Sequence, residues 1–459
     1  MMKCGWCALF LIFIITICTV VAPAESARSL KYRRNVSPNY LLISSSTSTE
    51  KYAVIFDAGS TGSRVHVFRF DRDLNLLQIG NDFEFYLATS PGLSSYADDP
   101  DAAAQSLKPL LDQAEAVVPQ ELRPQTPVRV GATAGLRQLS GDTSERILQA
   151  VRELLKSQSN LYYKAEWVSI LDGFQEGSYM WVAINYLLGN LGQEYSSTVG
   201  VVDLGGGSVQ MAYAISEEAA QNAPKSTLEE DDEYVQEKDI KGTKYYLYAH
   251  SYLNYGLNAI RAGILNLTGG HGNPCVINGY QGTYEYSGEV YKVSPPPSGT
   301  SIRKCLAVTR KALNLDANCP YNNCTFNGVW SGGGGDGQKN LYVASFFYDT
   351  AAWADIVDQS TTSVKIRPMV YLAAAKSACA TNVNDIKAKY PHLEDRNMPF
   401  LCMDLVYLYA LLVDGFDIDP LEEVTAVQKI EYKGSEIGAA WPLGCAVDVL
   451  SPSKSHLLD

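Results

Sequence analysis

Two stretches of the 459-residue chain carry residue types that can hold a phosphate. The first, residues 52–70 (YAVIFDAGSTGSRVHVFRF), runs from an apolar strand pattern into Asp57, a turn of Gly59, Ser60, Thr61, Gly62 and Ser63, and a second alternating strand. The second, residues 198–214 (TVGVVDLGGGSVQMAYA), repeats that logic with Asp203, Gly205, Gly206, Gly207 and Ser208. Small residues let an anion approach the main chain, and successive N–H groups in such turns form a concave nest for it. An aspartate closing each apolar strand adds a second requirement. Two carboxylates facing one another across a cleft favour a divalent cation, held directly or through water as Mg²⁺ usually is. Either hairpin alone is an ordinary tight turn. Together, with Asp57 and Asp203 separated by 203 − 57 = 146 residues, about one domain, they predict two lobes that each open on one phosphate-binding hairpin.

The elements that must position these turns follow from hydrophobic period and breaker residues. In the first lobe, 74–87 reads as a third strand and turn, and 101–118 as a helix ending before Pro119. A short buried strand at 128–132 leads into GATAGLRQL (131–139), followed by a helix at 144–156, a strand at 165–170 and a helix at 175–188. Three strands followed by alternating helix and strand is the order of a ribonuclease-H-like lobe, an α/β unit with a mixed sheet. The second lobe opens on the strand at 197–203 and its hairpin. The acidic run 227–239 reads as a solvated loop, 244–250 as a strand and 251–266 as a helix. Residues 269–300, rich in Gly, Pro and Tyr, read as an irregular insertion. The four successive glycines within 331–340 have no GK[ST] and no following helix, so they are not a P-loop and are expected as a mobile loop over the cleft. Helices at 368–381 and 399–413, a strand at 424–432 and a last helix at 435–449 complete the expectation.

Composition bounds the partners. A formal charge of −13 makes the chain a poor partner for nucleic acid or an anionic membrane surface, so an anionic substrate must be captured by local chemistry. Lys3, the apolar run 8–22 and the small residues Ala22, Ala24 and Ala27 form a secretory leader, 1–27, followed by a polar lead-in, 28–50. The run is 15 residues long and a span needs about 20, so a cleaved signal peptide is preferred over an uncleaved anchor. Of the other segments, the apolar stretch 405–413 is too short to span. Cys4, Cys7 and Cys18 fall in the leader, and secretion would make the remaining seven of the ten cysteines a disulfide framework. Cys319 with Cys324 closes a short loop, Cys275 with Cys305 and Cys379 with Cys402 make the longer bridges, and Cys445 is left over on the last helix, where burial is expected. No cysteine or histidine spacing suits zinc. Sequons at Asn266 and Asn323 agree with the same route.

DAGSTGSR, GATAGLR, DGFQEGSYMWVAINYLLG, VVDLGGGSVQMAY and MDLVYLYALLVDGF occur in the order and approximate spacing of the five apyrase conserved regions. Over residues 52–449 the chain therefore resembles the E-type apyrases, the nucleoside triphosphate diphosphohydrolases, and most of all those of plants. The first four motifs are highly specific and the fifth is looser. The resemblance implies two ribonuclease-H-like lobes of the actin, hexokinase and heat-shock chaperone ATPase fold around a central cleft. Lobe I would span 51–172, completed by 428–459, and lobe II 173–427. It also implies dependence on Ca²⁺ or Mg²⁺, an extracellular or luminal location, and hydrolysis of nucleoside tri- and diphosphates such as ATP and ADP to monophosphates.

Carried over by motif, Asp57 and Asp203 would orient the waters of the divalent ion, and Ser60, Thr61, Gly205, Gly206 and Ser208 would bind phosphate oxygens. Arg64 is a phosphate-contact candidate, Thr133 and Arg137 belong near the nucleophilic water and terminal phosphate, and Gln210 near the water or the metal shell. Glu176 is the candidate general base, although a glutamate in a first helical turn also suits the helix dipole alone. Tyr348 is a candidate to stack on the nucleobase, with a plain core role as its equal. Three other functions compete. An exopolyphosphatase shares the second phosphate loop but not GATAGLR or the cysteine framework. A sugar kinase would replace the water with an acceptor hydroxyl. A carbohydrate-binding role rests on the resemblance alone, since no aromatic stripe supports it.

Overall fold

The computed structural model describes residues 50–59, 61–224 and 234–451. The leader, the lead-in except Glu50, and Ser60 lie outside the described residues, as does most of the acidic run. Six strands form the first sheet: β1 (Lys51–Ala58), β2 (Ser63–Phe70), β3 (Leu76–Leu77), β4 (Glu84–Thr89), β5 (Pro127–Ala132) and β6 (Tyr162–Ile170). Their order is β3-β2-β1-β5-β6 with β4 also on β2; β1, β5 and β6 run parallel and β2 antiparallel to β1. The helices among them are α1 (Pro100–Val117), the short α2 (Ala134–Arg137) and α3 (Thr143–Gln158).

Why β1 reads as a continuous apolar run is visible in its packing, because a central strand in a sheet covered on both sides buries alternate residues in two different cores. Val54 and Phe56 enter a core with Leu107 and Leu111 of α1 and Val151 and Leu155 of α3. Ala53 and Ile55 face the other way, into a core with Trp181 and Leu443. Those last two belong to α4 (Gly173–Leu187) and to the C-terminal helix.

The second sheet, drawn from residues 201–427, has the order β14-β15-β13-β7-β8-β10-β9. It comprises β7 (Val201–Leu204), β8 (Ser208–Ile215), β9 (Val235–Ile240), β10 (Thr243–Leu253), β13 (Tyr342–Ser345), β14 (Ser363–Ile366) and β15 (Val424–Val427). β11 (Gly282–Tyr286) and β12 (Glu289–Val293) form a separate hairpin, as do β16 (Lys429–Tyr432) and β17 (Ser435–Gly438). The helices are the short α5 (Glu217–Gln221), α6 (Leu257–Asn266), α7 (Ile302–Ala312), α8 (Phe346–Trp353), α9 (Met369–Cys379), the short α10 (Ile386–Lys389), α11 (Leu401–Ala410) and α12 (Trp441–Leu450). Between the sheets α12 lies on β1 while α4 lies on β8 and β10, and the two helices pack together. Gly444 permits that approach, since a Cβ there would stand 1.9 Å from the Tyr179 carbonyl oxygen.

The three disulfides are Cys275–Cys305, Cys319–Cys324 and Cys379–Cys402, and Cys445 is free and buried, as the spacings suggested. The run Asp395–Gly415 is long and apolar enough to cross a membrane by length and composition, longer than 405–413 suggested. It is nonetheless a core element, since Asp404 forms a buried pair with Arg261, 2.6 Å, and residues 401–408 are all buried.

Four local expectations need correction. The glycine segment does not cover the cleft: it packs at the end of β8 away from the phosphate turn, where Gly332 abuts Tyr213 and Tyr248 and a Cβ on Gly337 would meet the Ala214 oxygen at 1.9 Å. The end of the acidic run is strand β9, paired with β10, because Val235 and its neighbours complete that sheet edge. The strand expected at 424–432 is two strands in different sheets, and the last helix begins at Trp441 because Lys433 (φ 51°) and Gly434 (φ 81°) turn the chain into β17. The insertion at 269–300 is not wholly irregular, since it carries the β11–β12 hairpin.

Candidate active site

The two hairpins have the same register. Ala58 pairs with Ser63 and Leu204 with Val209, so each turn leaves four residues between the innermost partners. Asp57 then stands across from Arg64, and Asp203 across from Gln210. Both aspartates line one cavity of about 810 Å³, together with Gly59, Thr61, Arg64, Thr133, Glu176 and the turn Gly205–Ser208. The parallel pairing of β5 with β1 sets Gly131 beside Asp57, which carries Thr133, one residue beyond β5, to the same mouth.

The second turn is oriented by its carbonyl groups. Leu257 N–H donates to the Gly205 oxygen (2.9 Å), Asn258 and Ala259 to the Gly206 oxygen (2.9 and 3.0 Å), and Asn254 to the Gly207 oxygen (2.9 Å). These donors are the start of α6 and the residue leading to it, whose N–H groups need partners outside the helix. With its oxygens so engaged, the turn keeps the N–H groups of Gly206 and Gly207 free of backbone partners among the described residues. Gly256 makes the approach possible, because a Cβ there would lie 2.4 Å from Ser208 N and 2.5 Å from Gly207 N.

Glu176 reaches the same place from α4. Asp172 caps that helix by accepting from Gln175 N–H (2.6 Å), which fixes the first turn and with it the Glu176 side chain. The Glu176 carboxylate accepts from the Arg137 guanidinium and from Gln210 Nε2 (3.3 Å). Burial pushes Glu176 up to about 7; Arg137 opposes that, and Asp203 and Asp57 add to it. Asp203 rises to about 6, first because it is buried and further because of Asp57, while its bond from Ser345 Oγ (2.6 Å) works the other way. The site thus concentrates negative charge out of water, an arrangement suited to receiving cations and protons.

Among the described residues no cluster of three or more carboxylate, histidine or cysteine side chains could hold a metal directly. Asp57 and Asp203 fit a hard cation bound through water and completed by phosphate oxygens, the usual condition of Mg²⁺.

The structure brings Asp57, Thr133, Arg137, Glu176, Asp203, Gly205, Gly206, Gly207, Ser208 and Gln210 together, and Gly59, Thr61 and Arg64 line the same cavity. Arg64 Nη1 lies 3.2 Å from Asp57 Oδ2 and 3.4 Å from the Gly62 oxygen. Ser63 is fully buried in β2 and does not reach the cavity, and Gly62 faces the Thr89 oxygen, which a Cβ would meet at 2.6 Å. Tyr348 is in the core, with its hydroxyl donating to the Thr361 oxygen (2.8 Å), so it cannot stack on a ligand. One turn of α8 offers Phe346 and Asp349 to the cavity instead. Two serines were not foreseen. Ser345, at φ 61°, donates to Asp203, and Ser251 on β10 accepts from Arg137 Nη1 (3.2 Å) and Gln210 Nε2 (2.8 Å). Asn266 and Asn323 are exposed.

The sequence pattern of the GDA1/CD39 (nucleoside phosphatase) family matches residues 43–456. An apyrase of Solanum tuberosum is 58% identical over 412 residues, covering 90% of each chain, and a nucleoside-triphosphatase of Pisum sativum is 54% identical, covering 87% of this chain and 88% of its own. A guanosine-diphosphatase of Schizosaccharomyces pombe is 34% identical, covering 95% and 80%. Nucleoside triphosphate hydrolases from Neospora caninum share the fold, with a TM-score of 0.57 at 14% identity over 88% of this chain and 92% of theirs. The chain belongs to the GDA1/CD39 family and has its α/β, actin-like architecture.

Proposed function

We propose that this member of the GDA1/CD39 family is an apyrase that removes the terminal phosphates of nucleoside tri- and diphosphates one at a time, leaving the monophosphate. The observation that carries the reading is the pair of hairpins in matching register, Asp57–Arg64 and Asp203–Gln210, which line one cavity with the buried Glu176 between them and Arg137. The N–H groups of Gly206 and Gly207 and the first turn hold phosphate oxygens, and Arg137 takes charge that gathers on the transferred group. Water attacks the terminal phosphorus in line, its proton passes to the Glu176 carboxylate, and the bond to the bridging oxygen breaks, releasing phosphate and the shortened nucleotide. A divalent cation, Ca²⁺ or Mg²⁺, would offset phosphate charge when bound, with Asp57 and Asp203 holding its waters.

Most of the candidate contacts are to phosphate. Phe346 offers the aromatic face that Tyr348 does not, so discrimination among nucleobases is expected to be small. Three disulfides and two exposed sequons support passage through the secretory route and an extracellular or luminal location, with the leader as its address. Phosphate release from ATP, ADP and polyphosphate, with Ca²⁺, Mg²⁺ or excess chelator, tests the reading. Hydrolysis of both nucleotides that stops with chelator is expected; a preference for polyphosphate, or full activity in chelator, would contradict it.

A further inference from the structure

The β11–β12 hairpin has no part in either sheet, yet it ends beside the phosphate site. Its base is tied down by the Cys275–Cys305 disulfide, by Tyr284, whose hydroxyl donates to the Asn258 oxygen (2.9 Å), and by the contact of the Tyr284 ring with Phe400 at 5.1 Å. From this base Tyr286 extends its hydroxyl to Gln138 Oε1, 2.9 Å. Gln138 caps α2 immediately after Arg137, and its Nε2 donates to Asn254 Oδ1 at 3.0 Å. Asn254, held at φ 73°, in turn donates its N–H to the Gly207 oxygen. One side chain from the first sheet's region is therefore gripped by two groups from the second. Directly beneath the grip, the two halves of the phosphate site touch: a Cβ on Gly207 would lie 2.7 Å from the Ala134 Cβ and 3.4 Å from the Tyr286 hydroxyl.

We propose that Tyr286, Gln138 and Asn254 form a clasp that sets the spacing between Thr133 and Arg137 on one side and the Gly205–Gly207 turn on the other. Tyr286 and Gln138 are thus positioning residues for phosphate transfer. The α4–α12 packing joins the two regions deep in the molecule, and Arg137 bonds to Glu176 and Ser251 across the cleft. The two hydrogen bonds of the clasp add to these and oppose any widening of the mouth. In-line attack depends steeply on distance and angle, whereas holding a phosphate in the ground state by several N–H groups and a cation does not. Loss of the clasp therefore falls on kcat and leaves KM nearly unchanged.

This inference rests on the proposed hydrolysis, and the experiment separates the two. Purified full-length Tyr286→Phe, Gln138→Ala and the double variant are compared with wild type for kcat, KM and Tm on ATP with Mg²⁺, with Tyr291→Phe as a control in the same hairpin. A wild-type protein without ATP hydrolysis would fail the proposed function itself. Given wild-type activity, Tyr286→Phe is expected to lose about 3- to 10-fold in kcat, the rate equivalent of one hydrogen bond, and Gln138→Ala, which removes both bonds of the clasp, at least as much, each with KM within about twofold. The double variant is expected to lose no more than the larger single loss, because both changes open the same contact. Tyr291→Phe is expected to match wild type. Wild-type kcat in Tyr286→Phe, additive losses in the double variant, or a change in Tm without a change in kcat would overturn the clasp.

Discussion

The two phosphate hairpins are equal in register and unequal in what secures them. Around Asp57 the aspartate is held by a side chain, with backbone only at the end of the turn: Arg64 Nη1 contacts Asp57 and the Gly62 oxygen, a Cβ on Gly59 would meet that same Nη1 at 2.8 Å, and Gly62 lies against the Thr89 oxygen. Around Asp203 the support is backbone, since α6 occupies the carbonyls of the turn, Gly256 lies against Gly206, Gly207 and Ser208, and Ser345 holds the aspartate. A side chain can swing away, while a packed helix terminus cannot. The second hairpin is the fixed half of the site and the first is the adjustable half. Glu176 belongs to the fixed half, through Gln210 and Ser251.

Substitution of the supporting glycines breaks the comparison most sharply. Gly256→Ala forces a Cβ into backbone at 2.4 Å, so either the turn or α6 must shift. A displacement near 1 Å at such a site costs on the order of 10²-fold in rate. Gly59→Ala meets the movable end of Arg64 at 2.8 Å and the Gly62 oxygen less closely, at 3.2 Å, and a loss of about tenfold or less is expected. Steady-state kcat on ATP checks both, and equal losses would remove the distinction between the halves.

Next come the groups that hold the aspartates. Ser345→Ala removes the hydrogen bond that aims Asp203, and loss of such a supporting partner typically weakens metal affinity by about 10- to 100-fold. Arg64→Ala frees a carboxylate that is already less enclosed, so the concentration of Mg²⁺ for half-maximal activity is expected to change less. Titration of activity with Mg²⁺ measures both, and the reverse order would contradict the assignment.

A pH effect is the smallest. The folded pKa of Glu176, about 7, lies above its ordinary value near 4.5, so in this window the folded protein binds more protons than the unfolded one. Its contribution to stability is present below about 4.5 and is lost as pH rises through about 7. In chelator, wild type is expected to lose Tm relative to Glu176→Gln between pH 5 and pH 7.5. The difference isolates this group from His250, whose buried ring is pushed down to about 4 and acts in the opposite sense. A Tm difference that does not vary with pH would show that Glu176 is ionised throughout.

How much of this was legible in the sequence follows the same division. The hairpins, Asp57, Asp203 and Glu176 announce themselves because small turn residues and a strand-end carboxylate sit next to one another in the chain. Ser345 and Ser251 do not, because each reaches the site by strand pairing from far away, 345 − 203 = 142 residues in one case, and a lone serine carries no local signal. Tyr348 fell on the wrong face because the boundary of α8 decides which residues turn outward, and Phe346 and Asp349 share the cavity side. Lys433 and Gly434 make a hairpin where apolar spacing suggested helix, since backbone sign at two residues outweighs a weak period. The clasp was invisible because its three residues come from separate segments.

The central claim is that a water between the two hairpins gives its proton to Glu176. Glutamine at that position keeps the shape and can still bond to Arg137 but cannot take the proton. The direct measurement is single-turnover hydrolysis of ATP by Glu176→Gln, with binding of a non-hydrolysable ATP analogue and Mg²⁺ measured on the same protein. The account predicts a rate lower by about 10²- to 10⁴-fold with binding of the analogue retained. A variant that keeps most of the wild-type rate would show that another group is the base.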